Sequence, residues 1–163
     1  MDNDVMKKKV LFMRSAFPLT FFLATSSALA NLGETLDESI ARYGPVLKQE
    51  IRGPAEIGTH YIFEKNGFTI DVSLLNGRTE WICYTSNAPI LDDIVGVLLE
   101  NNAQNSKWGA GISSRNSLMR RDIKYGRLDR KADAEYEEVG TYNGLQIITK
   151  AWHRARSPEA ADL

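Results

Sequence analysis

The sequence has little of what covalent or metal chemistry requires. Its 163 residues contain one cysteine, Cys83, and two histidines, His60 and His153. A single cysteine excludes an intramolecular disulfide, and its place in the apolar run EWICYT indicates a small buried side chain rather than a reactive thiol. A zinc site needs three or four converging ligands, and neither histidine has a second His, Cys or Asp at ligand spacing. We therefore predict neither a metal site nor a cofactor.

Motifs of catalysis and of phosphate binding are also missing. There is no Gly-x-Ser-x-Gly, and the Gly109–Gly111 stretch is too short for a dinucleotide or P-loop signature. The adjacent carboxylates Asp92 and Asp93 belong to the first turn of a predicted helix, where acids stabilise the helix dipole. We predict no catalytic residue. The alternative is a small exported hydrolase or transferase whose site is assembled from scattered residues, with a titratable group of shifted pKa in a concave pocket.

Long apolar runs are absent after residue 30, and before it there is only a short one. Lys7 to Lys9 precede an apolar segment from Ala16 to Ala24, and the stretch ends in Ala28-Leu29-Ala30. This order is typical of a secretory signal peptide, although an N-terminal core helix is the alternative. We predict a signal peptide over residues 1–30, cleavage between Ala30 and Asn31, and export to the periplasm or the extracellular space. No later run approaches the ~20 residues of a membrane span, so we expect no stable membrane insertion after cleavage.

The mature chain carries no excess of positive charge. Residues 31–163 contain 16 Lys or Arg and 19 Asp or Glu, a net charge of −3. Such a balance offers no general attraction to nucleic acid, which we exclude as a partner. The mature length predicts a single domain, 31–156, followed by a flexible tail, 157–163.

The first part of the mature chain predicts one helix followed by a small sheet. Thr35 and Glu38 fit a capping box, and Gly44-Pro45 ends the helix that they begin. Asn-Gly occurs at 66–67 and at 76–77, and this pair suits two-residue hairpin turns. The alternation between the two turns predicts a three-stranded antiparallel meander with strands at 60–65, 68–74 and 78–85. Residues 46–51, before it, fit a further short strand.

The same order recurs in the second part of the chain. Apolar spacing over 86–102 predicts a second helix, and residues 101–117 form a long Asn/Ser/Gly-rich loop that is either functional or partly ordered. Strands are predicted at 118–127, 131–138 and 145–152. The fold expected is α+β, with helices packed on an antiparallel β-meander. Two tandem helix–three-strand units, in halves 31–86 and 87–156, are the organisation that this repeat suggests.

Gly33-Glu34-Thr35 and Tyr43-Gly44-Pro45 bracket the first helix. They resemble the Gly-x-Thr … Gly-x-Pro signature of the small envelope lipoproteins that assist outer-membrane barrel assembly, with the proline one place earlier and no lipid-attachment cysteine. Secreted β-lactamase inhibitor proteins double a similar helix-and-sheet unit. The resemblance implies a non-enzymatic binding module and identifies neither a partner nor a binding residue.

Charge is unevenly distributed in the second half. Seven Lys or Arg and two Asp lie within residues 115–131, and four acids follow within 133–138. One interpretation is a hairpin whose strands carry opposite charges and pair across it. The other is a basic face for an anionic partner.

Exposed aromatic side chains on loops are candidate anchors for a partner. Trp108 lies in the long loop, where it could instead fold back onto the sheet edge, and Tyr142 lies in the TYNG turn. We take Trp108, Arg120, Arg121 and Tyr142 as candidate partner-binding residues. The function expected is an exported, soluble, non-catalytic binding or inhibitor-like module that recognises a protein or an envelope component.

Overall fold

The protein is described from a computed structural model, which covers residues 31–52, 57–117 and 120–157. The predicted signal peptide over residues 1–30, with Ala30 on one side of its cleavage site, lies outside the described residues. So does the predicted tail beyond Ser157.

The described residues form three helices and eight strands, with four strands after each of the first two helices. In chain order they are α1 (Leu36–Tyr43), β1 (Lys48–Ile51), β2 (Thr59–Lys65), β3 (Phe68–Leu75), β4 (Arg78–Ser86), α2 (Asp92–Asn101), β5 (Ile112–Ser117), β6 (Arg120–Gly126), β7 (Ala132–Val139), β8 (Tyr142–Thr149) and α3 (Lys150–Arg156). All the strand pairings are antiparallel. The predicted α+β class, with helices on an antiparallel meander, is confirmed.

The eight strands form one sheet in the order β1-β2-β3-β4-β8-β7-β6-β5. Strands β1–β4 are one meander and β5–β8 are a second, and the two join where β4 pairs with β8. Each meander follows a helix, so the helix–sheet order does occur twice. Each unit has four strands rather than the three expected, because β1 and β5 add a strand at each outer edge.

Local chemistry explains the elements of the first half. The Thr35 hydroxyl accepts the Glu38 N–H and the Glu38 carboxylate accepts the Thr35 N–H, which is the predicted capping box. Both Asn-Gly pairs have positive φ, 52° and 81° at Asn66-Gly67 and 53° and 75° at Asn76-Gly77. Positive φ at both central residues is what a two-residue hairpin turn requires, so both predicted hairpins are confirmed.

One face of the sheet, here called the inner face, forms the core with α1 and α2. The rings of Tyr43 on α1 and Phe63 on β2 lie 5.2 Å apart, and the buried Asn102 after α2 donates to the Tyr84 hydroxyl. Alternate residues along each strand point to this face, and the fully buried ones include Phe63, Val72, Ile82, Tyr84, Tyr136, Leu145 and Ile147. The core therefore spans both meanders.

The opposite face, here called the outer face, meets only α3 among the described helices. The ring of Trp152 on α3 lies 6.3 Å from that of His60, a β2 residue whose side chain is opposite in direction to Phe63. Helix α3 covers one end of the outer face, and the rows of side chains further along the strands lie beside no described helix.

Three expectations for the second half were wrong. The last strand was expected at 145–152, but β8 begins at Tyr142 and ends at Thr149, whose hydroxyl accepts the Trp152 N–H and caps α3. Trp152 and His153 are consequently helical. The loop expected over 101–117 contains β5. The second helix, expected from apolar spacing over 86–102, starts only at Asp92.

Candidate functional site

The outer face carries two polar rows that cross five neighbouring strands of the sheet, from β3 to β6. One row joins Asp71, Cys83, Gln146, Glu135 and Lys124 through successive strand pairs. The next row joins Thr69, Thr85, Gly144, Glu137 and Asp122. Both charge signs and several hydrogen-bonding groups are therefore presented on one surface.

Tyr142 lies near the middle of this face. It was predicted in the β7–β8 turn, and it is the first residue of β8, directly after that turn. Its side chain is 44% exposed. A Cβ atom placed on Gly144 would lie 2.4 Å from the Tyr142 hydroxyl, so the phenol crosses the space that the glycine leaves open. The hydroxyl lies 3.9 Å from the Cys83 sulfur.

Burial governs the ionisation of this pair. Burial raises the pKa of the Cys83 thiol to about 11. The pKa of the Tyr142 hydroxyl is also raised, mainly by burial and to a smaller extent by the negative charge of the Cys83 thiolate. Cys83 stays a protonated thiol at neutral pH, which agrees with the prediction of a buried, unreactive cysteine.

Arg120 shares the outer face with Tyr142. Its Nε lies 2.8 Å from Asp122 Oδ2, and its Nη2 lies 2.8 Å from Glu137 Oε1 on β7. Val139 pairs with Arg120 on one side and with Tyr142 on the other. Two strand spacings, about 10 Å, therefore separate the arginine and the tyrosine.

The structure does not bring Arg121 to the same surface. Successive strand residues point to opposite faces, and the Arg121 guanidinium lies on the inner side, 5.7 Å from the centre of the Tyr136 ring. It also donates to both carboxylate oxygens of Asp92, at 2.9 and 3.1 Å. Arg121 thus ties the start of α2 to β6.

Trp108 is also placed apart from Tyr142. It forms an isolated bridge with Arg127, is half-buried, and packs against the core cluster. With Leu99, Ala103 and Tyr125 it lines a cavity of about 340 Å³ beside α2. This placement agrees with the alternative in which Trp108 folds back onto the sheet.

Some of the cations within residues 115–131 form ion pairs with described residues and others do not. Arg120 pairs with Glu137, and Lys124 lies 3.5 Å from Glu135 across the β6–β7 hairpin. For these two cations the structural interpretation, opposite charges on paired strands, is confirmed. Arg130 and Lys131, in the turn that follows β6, make no ion pair with any described residue.

Two cavities flank α3. One, of about 320 Å³, lies over the outer face and is lined by Lys124, Glu135, Gln146, Ile148 and His153, among others. The other, of about 650 Å³, lies where the β6–β7 turn, β4 and α3 meet. We call this second cavity the basic cavity. It is lined by Glu80, Gln104, Arg127, Arg130, Lys131, Thr149, Lys150, Ala151, His153 and Arg154.

The alternative function, an enzyme, requires a titratable group in a concave pocket, and a histidine is a natural candidate for that group. His60 Nδ1 lies 3.0 Å from Asp71 Oδ1, and Arg52 lies 2.7 Å from the other oxygen of that carboxylate. His60 is 1% exposed, its ring lies 5.2 Å from that of Trp81, and its Nε2 has no hydrogen-bond partner among the described residues. An imidazole buried to this extent is closed to a substrate, and the Trp81 and Trp152 rings lie beside it.

Residues 31–52, 57–117 and 120–157 contain neither a cluster of metal ligands nor a helix that could span a membrane. No three His, Cys, Asp or Glu side chains in these ranges are grouped as a metal ion would need. None of the helices there has both the length and the apolar character to cross a bilayer.

Comparisons with known proteins were made with the whole chain. No protein-family model matches it, and no curated protein matches it either. An extracellular protein containing an SCP domain from Bacillus anthracis str. Ames is similar in structure over 95% of this chain and 53% of its own, with 10% sequence identity and a TM-score of 0.42. This chain spans about half the length of that protein. So low a TM-score supports no argument about fold or function.

Sequence reasoning missed the basic cavity. Its cations come from the β6–β7 turn and from α3. The first residues of α3 were predicted as the end of a strand. The only available signal was the Thr149 to Trp152 spacing, which fits a helix cap. Proximity of that helix to the turn depends on the pairing of β7 with β8, where Ala132 pairs with Thr149.

Proposed function

We propose that this protein is an exported, soluble, non-catalytic binding or inhibitor-like module that recognises a protein or an envelope component through its outer face. The observation that carries the proposal is the polar surface around Tyr142, which crosses both meanders and lies beside no described helix except α3. Export is supported by the signal-peptide pattern of residues 1–30.

Of the two partner classes, a folded protein fits this surface best. The two polar rows extend over five strands, from β3 through β4, β8 and β7 to β6, which is about 19 Å at the usual strand spacing. Protein interfaces bury about 800 Å² on each partner, and a surface of this width can supply that area. Tyr and Arg are the residue types enriched at interface hot spots, and Tyr142 and Arg120 lie together here.

The mixed charge of the face supports the same choice. Glu135 and Glu137 alternate with Lys124 and Arg120 across the β6–β7 hairpin. A partner with its own mixed charges can align with this pattern, and a misaligned partner would place like charges together.

The direct test is photo-crosslinking in the native cell. A photoreactive residue replaces Thr85, in the centre of the outer face, and in a second strain it replaces Leu91, which is 66% exposed before α2. We expect one discrete crosslinked protein from position 85 and none from position 91. The same product from both positions, or from position 91 alone, would exclude the outer face.

The partner identified in this way is then tested with purified variants. Tyr142→Ala removes the aromatic anchor and should weaken binding by about 2 kcal/mol or more if the side chain is a hot spot. Leu91→Ala is the matched control, because it truncates an exposed apolar side chain elsewhere and should leave the affinity unchanged. Equal affinities for all three proteins would contradict the role of Tyr142.

Export itself is tested by the intact mass of the chain in separate cell fractions. We expect a chain that begins at Asn31 in the exported fraction. A full-length chain in the cytosol would contradict the signal peptide and leave the crosslinking result to be interpreted among cytosolic partners.

A further inference from the structure

We infer that the basic cavity binds the phosphate group of a small phosphorylated molecule. The inference goes beyond the proposed function and does not depend on it, because the cavity lies at the strand ends beside α3 and shares none of its cations with the surface around Tyr142.

The first argument is charge. Five cations line the basic cavity: Arg127, Arg130, Lys131, Lys150 and Arg154. Asp129 pairs with Arg127, Asp133 pairs with Lys150, and Glu80 is the one carboxylate among the described residues of the lining. Within residues 31–52, 57–117 and 120–157, these five cations and three carboxylates leave a local excess of two positive charges, in a mature chain whose net charge is negative. A concave site with an excess of one sign concentrates ions of the opposite sign.

The second argument is that one of these cations is fixed in place. Arg127 is only 4% exposed. Its Nε donates to Asp129 Oδ1 at 2.9 Å, and its Nη1 donates to Gln104 Oε1 at 2.8 Å and to the Asn102 carbonyl at 3.3 Å. None of these bonds uses Nη2, which retains two N–H groups. A guanidinium held in this way loses little further entropy when an oxyanion binds to it.

The third argument is backbone strain at the turn. Arg130 has φ of 59°, in the left-handed region that side chains other than Asn, Asp and Gly rarely adopt. The turn is closed by the Arg130 N–H, which donates to the Arg127 carbonyl at 2.8 Å. Strain of this kind persists where function requires the side chain. Here it sets a charged residue at the rim of the cavity, without an ion pair to any described residue.

The arrangement suits phosphate better than carboxylate. The donors belong to two elements: Arg127, Arg130 and Lys131 to the turn, and Lys150 and Arg154 to α3. Phosphate offers three acceptor oxygens in a tetrahedral arrangement and up to two negative charges, so it can accept bonds from several directions. The Glu80 carboxylate can accept a hydroxyl of the remainder of the ligand. A volume of about 650 Å³ is that of a small-molecule site.

The test is a titration of the mature chain with inorganic phosphate, pyrophosphate and acetate, followed by calorimetry and by amide chemical shifts. We expect saturable one-to-one binding of the phosphates, tighter for pyrophosphate, with shifts at the β6–β7 turn and the start of α3. Acetate should bind at least about tenfold more weakly. No saturable binding of either phosphate at millimolar concentration would overturn the inference.

Two variants with the same change of net charge distinguish a site from general attraction. One carries Arg130→Asn, Lys131→Gln and Arg154→Gln; asparagine tolerates the left-handed backbone, and all three side chains are exposed. The control carries Lys48→Gln, Arg78→Gln and Lys124→Gln, exposed cations outside the cavity. The first should raise the dissociation constant of pyrophosphate at least about tenfold and the control by less than about twofold. Equal losses would overturn the inference.

The source of the phosphate group is decided by a further arm. Glycerol 3-phosphate in solution is compared with vesicles of phosphatidylcholine that contain phosphatidic acid, each with vesicles of phosphatidylcholine alone as the blank. Binding of the soluble ester assigns a free metabolite, and binding only to the phosphatidic acid vesicles assigns a lipid headgroup. Binding to neither, with phosphate itself also unbound, would overturn the site. A failed crosslink from position 85 would not change any of these outcomes.

Discussion

The two halves of the sheet share one order of elements and differ in how their hairpins are closed. In the first half, β2–β3 and β3–β4 are joined by two-residue Asn-Gly turns. In the second half, residues 127–131 join β6 to β7, and Gly140 and Thr141 join β7 to β8. A two-residue Asn-Gly turn specifies the register of its hairpin. The longer turn is held instead by Arg127, which donates to Gln104 Oε1 and to the Asn102 carbonyl, more than twenty residues earlier in the chain. The difference teaches that local chemistry organises the first half and tertiary contacts organise the second.

The largest effect is expected at the join between the halves. Ile82 on β4 and Ile147 on β8 are register partners, and neither is exposed. Either Ile→Ala change should lower the free energy of unfolding by about 2–5 kcal/mol, because each leaves a cavity in a shared core. Urea denaturation of both variants should show one transition by fluorescence and by circular dichroism.

The Ile82→Ala and Ile147→Ala variants also test whether the two halves of the sheet unfold together. If the two halves were independent units, Ile82→Ala would lower the stability of the first half alone. Two separate transitions, or hydrogen-exchange protection that is lost in β1–β4 and retained in β5–β8, would contradict a single cooperative sheet.

A smaller effect is expected at Asn102, which links both halves through its side chain. Its Oδ1 accepts the Leu32 N–H at 2.9 Å, and its Nδ2 donates to the Leu98 carbonyl and the Tyr84 hydroxyl. Asn102→Ala would remove the acceptor of the buried Leu32 N–H and should cost about 1–3 kcal/mol by thermal or chemical denaturation. Among the described residues, the neighbouring Asn101 side chain bonds to the Val97 carbonyl of its own helix, so Asn101→Ala should change stability by less than about 0.5 kcal/mol. Similar losses in both variants would contradict the linking role.

The smallest effect is expected in the turns and has opposite signs in the two halves. Arg130 and Asn76 both have left-handed backbones, with φ of 59° and 53°. Arg130→Asn should raise the free energy of unfolding by about 0.5–1 kcal/mol, because asparagine tolerates this region better than arginine. Asn76→Arg should lower it by a similar amount. The measurement is the urea midpoint at equal slope. A loss of stability in Arg130→Asn would show that the arginine contributes more to the fold than its backbone costs.

Much of the first half could be predicted from residues close together in the chain. The capping box at Thr35 and the hairpins at Asn66 and Asn76 each depend on bonds or dihedral angles within four residues. The second half could not be predicted as well, because helix α3 requires that the chain leave the sheet at Thr149. A run of apolar and basic residues such as Lys150-Ala151-Trp152-His153 is compatible with either strand or helix. Burial of Trp152 against His60, from β2, decides between them.

The candidate site around Tyr142 was likewise predictable only in part from the sequence. The sequence indicated Tyr142 and Arg120 as unusual side chains, and the alternation of a strand is enough to separate Arg120 from Arg121. Their meeting on one face depends on the pairing of β6, β7 and β8, which is a matter of register over some twenty residues. Trp108 could not be assigned to the edge of the core without knowing that Arg127 would pair with it.

By itself, the sequence determined the α+β class, the helix–sheet repeat and the two Asn-Gly hairpins, since each follows from the conformational preferences of neighbouring residues. The tertiary structure alone decided that β4 pairs with β8 to make one sheet, that α3 lies on the outer face, and that cations from a turn and a helix surround one cavity. Those features bring together residues up to about 75 positions apart, from Glu80 to Arg154. Closure of such long segments is favourable only when the whole core forms, so no local pattern in the sequence records it.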